Sequence, residues 1–119
     1  MKKIFLPLFA LCVTTLVSAQ LNYTNRWYFG NQAGLDFSSG SPVAITGFTN
    51  VDEGTATICD AAGQVMFYSD GTKIWNRNNQ IMPNGNGILG GAGSSQQAPL
   101  IIKSLSSPTQ YYVFTIGDH

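Results

Sequence analysis

Apolar runs in this chain are short, and Gly, Asn, Pro or Ser breaks each of them within a few residues. Beyond the first 20 residues no window places apolar side chains at i, i+3, i+4 and i+7, so no long helix is expected there. Strands of four to six residues joined by tight turns satisfy such a pattern, because turns take Gly and Asn while strands take β-branched and aromatic residues. The expected fold class is all-β, built from antiparallel hairpins and meanders.

The first 19 residues obey a different rule. Met1-Lys2-Lys3 is a short basic stretch, and Ile4 to Val17 is an apolar run too short to cross a bilayer core, which takes about 20 helical residues. Val17-Ser18-Ala19 supplies the small residues read by a signal peptidase. Residues 1–19 are therefore expected to be a helical secretory signal peptide cleaved between Ala19 and Gln20. Leu11 precedes Cys12 where a lipidated cysteine would need Gly or Ala. Export through the inner membrane follows, with the mature chain secreted or at the cell surface and without a membrane span.

Residues 20–119 carry Arg26, Lys73, Arg77 and Lys103 against Asp36, Asp52, Glu53, Asp60, Asp70 and Asp118, a formal charge of −2. No basic stripe offers itself to phosphates, so a nucleic-acid partner is not expected. Cys59 is the one cysteine left after cleavage, in a setting that reads as a buried strand position, and it cannot form an intramolecular disulfide. His119 is the only histidine, so the His/Cys set of a zinc site is lacking.

The clearest unit lies between Glu53 and Asn76. Thr55–Cys59 alternates, Asp60-Ala61-Ala62-Gly63 turns, and Gln64–Ser69 returns. Asp opening and Gly closing a tetrapeptide is the preference of a type I turn. Asp70-Gly71 turns again and Lys73–Asn76 makes a third strand. Earlier, Trp27–Phe29, Gly34–Phe37 and Pro42–Ile45 read as strands. Later, Pro99–Lys103 and Tyr111–Ile116 read as the arms of another hairpin. Residues 83–98, with Gly85, Gly87, Gly90, Gly91 and Gly93, read as a long surface loop. Asp70 and Asp118 close similar hairpins 48 residues apart. That spacing suits the blades of a β-propeller, with a β-sandwich as the alternative. The strongly apolar strand near residue 119 suggests that further blades follow.

The strings are more specific than their periodicity. Trp27-Tyr28-Phe29-Gly30-Asn31-Gln32-Ala33-Gly34-Leu35-Asp36-Phe37 with Ser41-Pro42 is one. Glu53-Gly54-Thr55-Ala56-Thr57-Ile58-Cys59-Asp60, Gly63 and Phe67-Tyr68-Ser69-Asp70-Gly71 form the next. Trp75-Asn76-Arg77-Asn78, Met82-Pro83-Asn84-Gly85, Gly87, Leu89 and Ser94-Ser95-Gln96-Gln97 complete the set. Together they resemble the N-terminal region of large secreted Bacteroidetes proteins of the type IX secretion and gliding-motility class. The resemblance implies a WD40-like or YVTN-like β-propeller at the cell surface, the opening blades of which would be residues 20–119. It also implies the secretion machinery as a partner. These motifs are turn and strand signatures and carry no chemistry of their own.

No catalytic residue and no cofactor emerges. Asp36, Asp60 and Asp70 sit at or beside turns, and Asp52-Glu53 are neighbours rather than a facing pair separated as glycoside hydrolysis requires. Asp60, Asp70, Asn76 and Asn78 offer oxygens to calcium but match no EF-hand or RTX spacing. Ser69-Asp70-Gly71-Thr72 lacks the spacers of a sialidase Asp-box, and Asp70 is expected to brace its own turn. Aromatic side chains leave a binding role open. Alternation puts half of them in the core, and Trp75, beside Lys73, Asn76 and the long loop, is the one expected at the surface as a ligand contact. The expected function is thus a non-catalytic binding, adhesion or display module whose partner is an extracellular glycan or protein. The alternative is the opening part of a secreted glycan- or peptide-processing propeller hydrolase with its catalytic residues elsewhere.

Overall fold

The computed structural model describes residues 22–52, 54–90 and 99–117. The expected signal peptide and its expected cleavage site at Ala19 and Gln20 lie outside the described residues, as does Asp118. The described residues are all-β and antiparallel, in three sheets without a helix.

The first sheet is the meander β1 (Arg26–Phe29), β2 (Asn31–Asp36) and β3 (Val43–Asn50). Gly30, at φ +54°, turns β1 directly into β2. β3 continues well past the Pro42–Ile45 segment expected from the sequence, because Thr46 pairs with Ala33 and Asn50 with Asn31 across a bulge at Gln32.

The second sheet is a four-stranded meander of β4 (Ala56–Cys59), β5 (Val65–Ser69), β6 (Lys73–Asn76) and β7 (Ile81–Asn86). Its fourth strand takes Pro83–Asn86 from the expected 83–98 loop. Pro83 is tolerated there because β7 is an edge strand, which leaves one side free of ladder partners. After it, Ile88 N–H bonds to Thr72 O (3.0 Å), laying the chain back along the β5–β6 turn.

Two hairpin turns of this sheet are built alike. Asp60 Oδ1 accepts from Ala62 N and Gln64 N, while Asp60 O accepts from Gly63 N. Asn76 Oδ1 accepts from Asn78 N and Gln80 N, while Asn76 O accepts from Asn79 N. Gly63 and Asn79 both occupy the left-handed region, at φ +79° and +61°, a position that suits Gly or Asn. Arg77 reaches Asp60 at 3.9 Å, so the two turns share one end of the sheet.

A bulge decides what the second sheet buries. Ile58 pairs with Phe67 but Cys59 pairs with Val65, leaving Met66 as the extra residue. Strand alternation would put Val65 opposite to Tyr68, and the bulge returns it to Tyr68's side. Cys59, Val65, Tyr68 and Trp75 then form one core with Tyr28 of the first sheet.

The third sheet is the hairpin of β8 (Leu100–Lys103) and β9 (Tyr111–Phe114). Tyr111 meets Phe67 edge-on with ring centroids 5.5 Å apart, and its hydroxyl lies 3.3 Å from Met66 Sδ. Phe67 and Tyr68 are consecutive in β5 and point to opposite faces. The second sheet therefore carries the first on one face and the third on the other.

Candidate functional site

Where the first and second sheets meet, side chains replace a backbone ladder. Tyr28 N–H donates to Thr57 Oγ1 (3.1 Å), the Thr55 hydroxyl donates to Tyr28 O, and the Cys59 thiol lies 4.0 Å from Arg26 O. Residues 55, 57 and 59 alternate along one face, so three successive side chains address the free edge of β1. Burial pushes the Cys59 thiol and the Tyr28 phenol above their ordinary pKa ranges. A buried protonated thiol bonded to a carbonyl is a packing element rather than a nucleophile.

Beside this seam opens a crevice of about 270 Å³ lined by Trp27, Tyr28, Phe29, Thr55 and Thr57. Trp27 and Phe29 flank Tyr28 on β1 and turn the other way from it, which leaves them 51% and 40% exposed. The Trp27 indole is held: Nε1–H donates to Thr24 O (2.8 Å) and the ring lies against Phe37 at 5.1 Å. No charged side chain lines the crevice. A second groove of similar volume, between β7 and β9, is walled by Phe67, Ile74, Met82 and Val113 and is more apolar.

Trp75 is not where the sequence reading put it. It is 4% exposed, directly across from Tyr68 in the β5–β6 pairing, with the two rings 5.3 Å apart and 16° from parallel. Lys73 and Asn76 suggested a polar strand, but cross-strand pairing with an aromatic partner sets this residue's burial. Its indole offers no flat face to a ligand. Trp27 and Phe29 hold the exposed aromatic faces instead, and a signal for this was present. Tyr28 pairs with Gly34, and a glycine across from a large ring marks the side on which the ring is packed.

Asp36, Asp60 and Asp70, three of the acids weighed for catalysis or calcium, are engaged locally, whereas Asp52 is exposed and Glu53 lies outside the described residues. Asp70 is 6% exposed, and its Oδ1 accepts from Thr72 N, Thr72 Oγ1 and Lys73 N at 2.8–2.9 Å, the turn brace expected of it. Ser69 Oγ completes that turn, accepting from Gly71 N and donating to Lys73 O. Asp60 and Asn76 hold their own turns as described. Asp36 accepts from Ser38 N and Ser38 Oγ and pairs with Arg26 Nε (2.7 Å). Those serine hydrogen bonds, and then the Arg26 guanidinium, hold its carboxyl below the usual range. Among the described residues no three His, Cys, Asp or Glu side chains gather as a metal set, and no helix is long and apolar enough to cross a membrane.

Comparison with protein-family models, with curated proteins and with solved structures returns no match for this chain.

Proposed function

We propose that residues 20–119 are the opening blades of a β-propeller in an exported protein that binds or displays without catalysing. The observation that carries this reading is the covering of one four-stranded meander on both faces. Tyr28 packs on Tyr68 and Tyr111 on Phe67, as a blade is packed between its neighbours. β4 begins at Ala56 and β8 at Leu100, 44 residues apart, a spacing typical of blade repeats. The outer face of the third sheet repeats the need for cover. Leu100 pairs with Phe114 and Ile102 with Tyr112, and all four are about half exposed.

The absence of turnover rests on where the acids are spent. Asp36, Asp60 and Asp70 each serve a turn or an ion pair within the scaffold, leaving none of the three in a facing pair. Export rests on the basic, apolar and small-residue succession of residues 1–19.

Two measurements test the proposal. The secreted product should begin at Gln20 by N-terminal sequencing, and retention of Met1 would overturn export by cleavage. The secreted chain should be retained on immobilised glycans or extracellular proteins without consuming them. Release of reducing sugar or of peptide fragments would favour the hydrolase reading instead, and no retention on any of them would overturn the binding role.

A further inference from the structure

We infer that the crevice between β1 and β4 is a binding site for a neutral sugar ring, with Trp27 and Phe29 as its apolar walls and Thr55 and Thr57 as its polar contacts. This rests on the reading of the chain as a binding module and names the ligand class of one site on it.

A pyranose ring has a face of axial C–H groups, which packs on an aromatic face, and a rim of hydroxyls that need partners. Both requirements are met here. Trp27 and Phe29 project from one side of a single strand, and the two residues are 51% and 40% exposed. Trp27 is already fixed by Thr24 O and Phe37, so little rotamer freedom is lost when a ligand stacks on it. Thr57 Oγ1 accepts from Tyr28 N, which leaves its own O–H free to donate. Thr55 donates to Tyr28 O, which leaves its oxygen lone pairs free to accept. One hydroxyl donor and one hydroxyl acceptor thus lie beside two aromatic walls. The volume, about 270 Å³, is near the lower end for small-ligand sites and suits a single sugar unit.

The lining also selects. It holds no charged side chain, so a uronic acid carboxylate would be desolvated without a counter-charge. The groove beside β9 is more apolar, walled by Phe67, Ile74, Met82 and Val113, with Asn84, Thr109 and Tyr111 also lining it. The crevice beside β1 is set apart by two exposed aromatic side chains next to its pair of threonine hydroxyls.

Cellotetraose titrated into the full chain is the test, read by tryptophan fluorescence where Trp27 is present and by isothermal titration calorimetry for the Trp27 variants. Trp75 is buried, so the response reports on Trp27. A saturable change is expected, together with quenching of Trp27 by acrylamide that the sugar suppresses. Phe29→Ala should weaken binding roughly 3- to 10-fold and Trp27→Ala should weaken it roughly 10-fold or more. Phe114→Ala, on the far sheet, should leave it unchanged. Near-UV circular dichroism of the Tyr28–Tyr68–Trp75 group shows whether each variant is folded, and Trp27→Phe, with a weaker stacking face, replaces Trp27→Ala if that variant is not. The inference is overturned if cellotetraose gives no saturable change, if tetragalacturonate binds as tightly, or if folded Phe29→Ala binds as the parent does. It also falls if acrylamide does not reach Trp27, which would mean another sheet covers that face. Retention on other glycans or proteins alongside any of these results would leave the binding-module reading standing and remove only this site.

Discussion

Tyr28 lies nearly flat on Tyr68, with ring centroids 4.2 Å apart and planes 29° from parallel. Tyr68 in turn stacks on Trp75, so three aromatic side chains from β1, β5 and β6 form one pile through the junction of two sheets. Large aromatic surfaces dominate the energetics of a small core, and this pile is the main apolar tie between the sheets.

The pile needs two glycines. A Cβ on Gly47 would run into the Tyr28 ring, and one on Gly34 would stand 2.7 Å from Trp27 O and 2.9 Å from Tyr28 Cδ1. Gly47→Ala should therefore push Tyr28 off Tyr68 and destabilise by about 2 kcal/mol, as overpacking a core does. Gly40→Ala has open space around the new methyl but sits at φ +83°, so it should cost about 1–2 kcal/mol of backbone strain and leave the Tyr28 ring in place. Urea denaturation of the two variants checks the two losses, and near-UV circular dichroism should change only for Gly47→Ala.

Asp70 joins β5 to β6 through three hydrogen bonds accepted by one carboxylate oxygen. Asp70→Ala removes all three and leaves Thr72 N and Lys73 N without a protein partner, a loss of about 2–3 kcal/mol. Asp70→Asn keeps the Oδ1 acceptor and should lose less than about 1 kcal/mol. Equal losses in the two variants, measured by chemical denaturation, would show that the charge rather than the turn geometry matters.

The Tyr68 hydroxyl donates to Asn79 Oδ1 at 2.8 Å, and burial pushes its pKa up to about 12. An unfolded chain releases this proton near pH 10, so alkali favours the unfolded state first. Stability from this group is full below about pH 10 and falls as pH rises from there towards 12. Tyr28 is shifted in the same direction by burial. Denaturation midpoints across this range should fall steeply for the parent and less steeply for Tyr68→Phe.

Asp36 gives the opposite dependence. Its hydrogen bonds from Ser38 and its pairing with Arg26 lower the folded pKa below the ordinary value near 4. Protons therefore bind the unfolded chain first as pH falls, and the contribution present above about pH 4 is lost below it. Asp36→Asn should flatten the acid limb of the stability profile. Ser38→Ala should flatten it partly, since Ser38 N would still donate.

Much of this arrangement is legible in the residues, and what is not legible has physical causes. Alternation sets Tyr28 on the opposite side from Trp27 and Phe29 but leaves open which side is packed, while Asp60 with Gly63 announces its turn. The turn at Asn76 is built identically, yet Asn79 stands where Gly63 does, and Asn at a left-handed position is a quieter signal than Gly. Val65 joins the core only because Met66 bulges, and a one-residue slip in register has no local mark in the sequence. Trp75 misleads for a related reason: its burial is fixed by Tyr68 across the sheet, while its chain neighbours are polar. The crevice is less legible still, because Trp27 and Thr57 are 30 residues apart and meet only where β1 lies along β4.

Thr49 shows the same limit in one side chain. It is fully buried, and its hydroxyl has no hydrogen-bond partner among the described residues. A buried hydroxyl without a partner costs about 1–3 kcal/mol of desolvation that nothing returns. Valine keeps the branched shape and the strand preference while removing the polar atom. Thr49→Val is therefore expected to stabilise the chain by about 1 kcal/mol, seen as a higher urea midpoint with an unchanged slope. A lower midpoint would mean that the hydroxyl has a partner, such as a water, whose loss outweighs the relief of burying it.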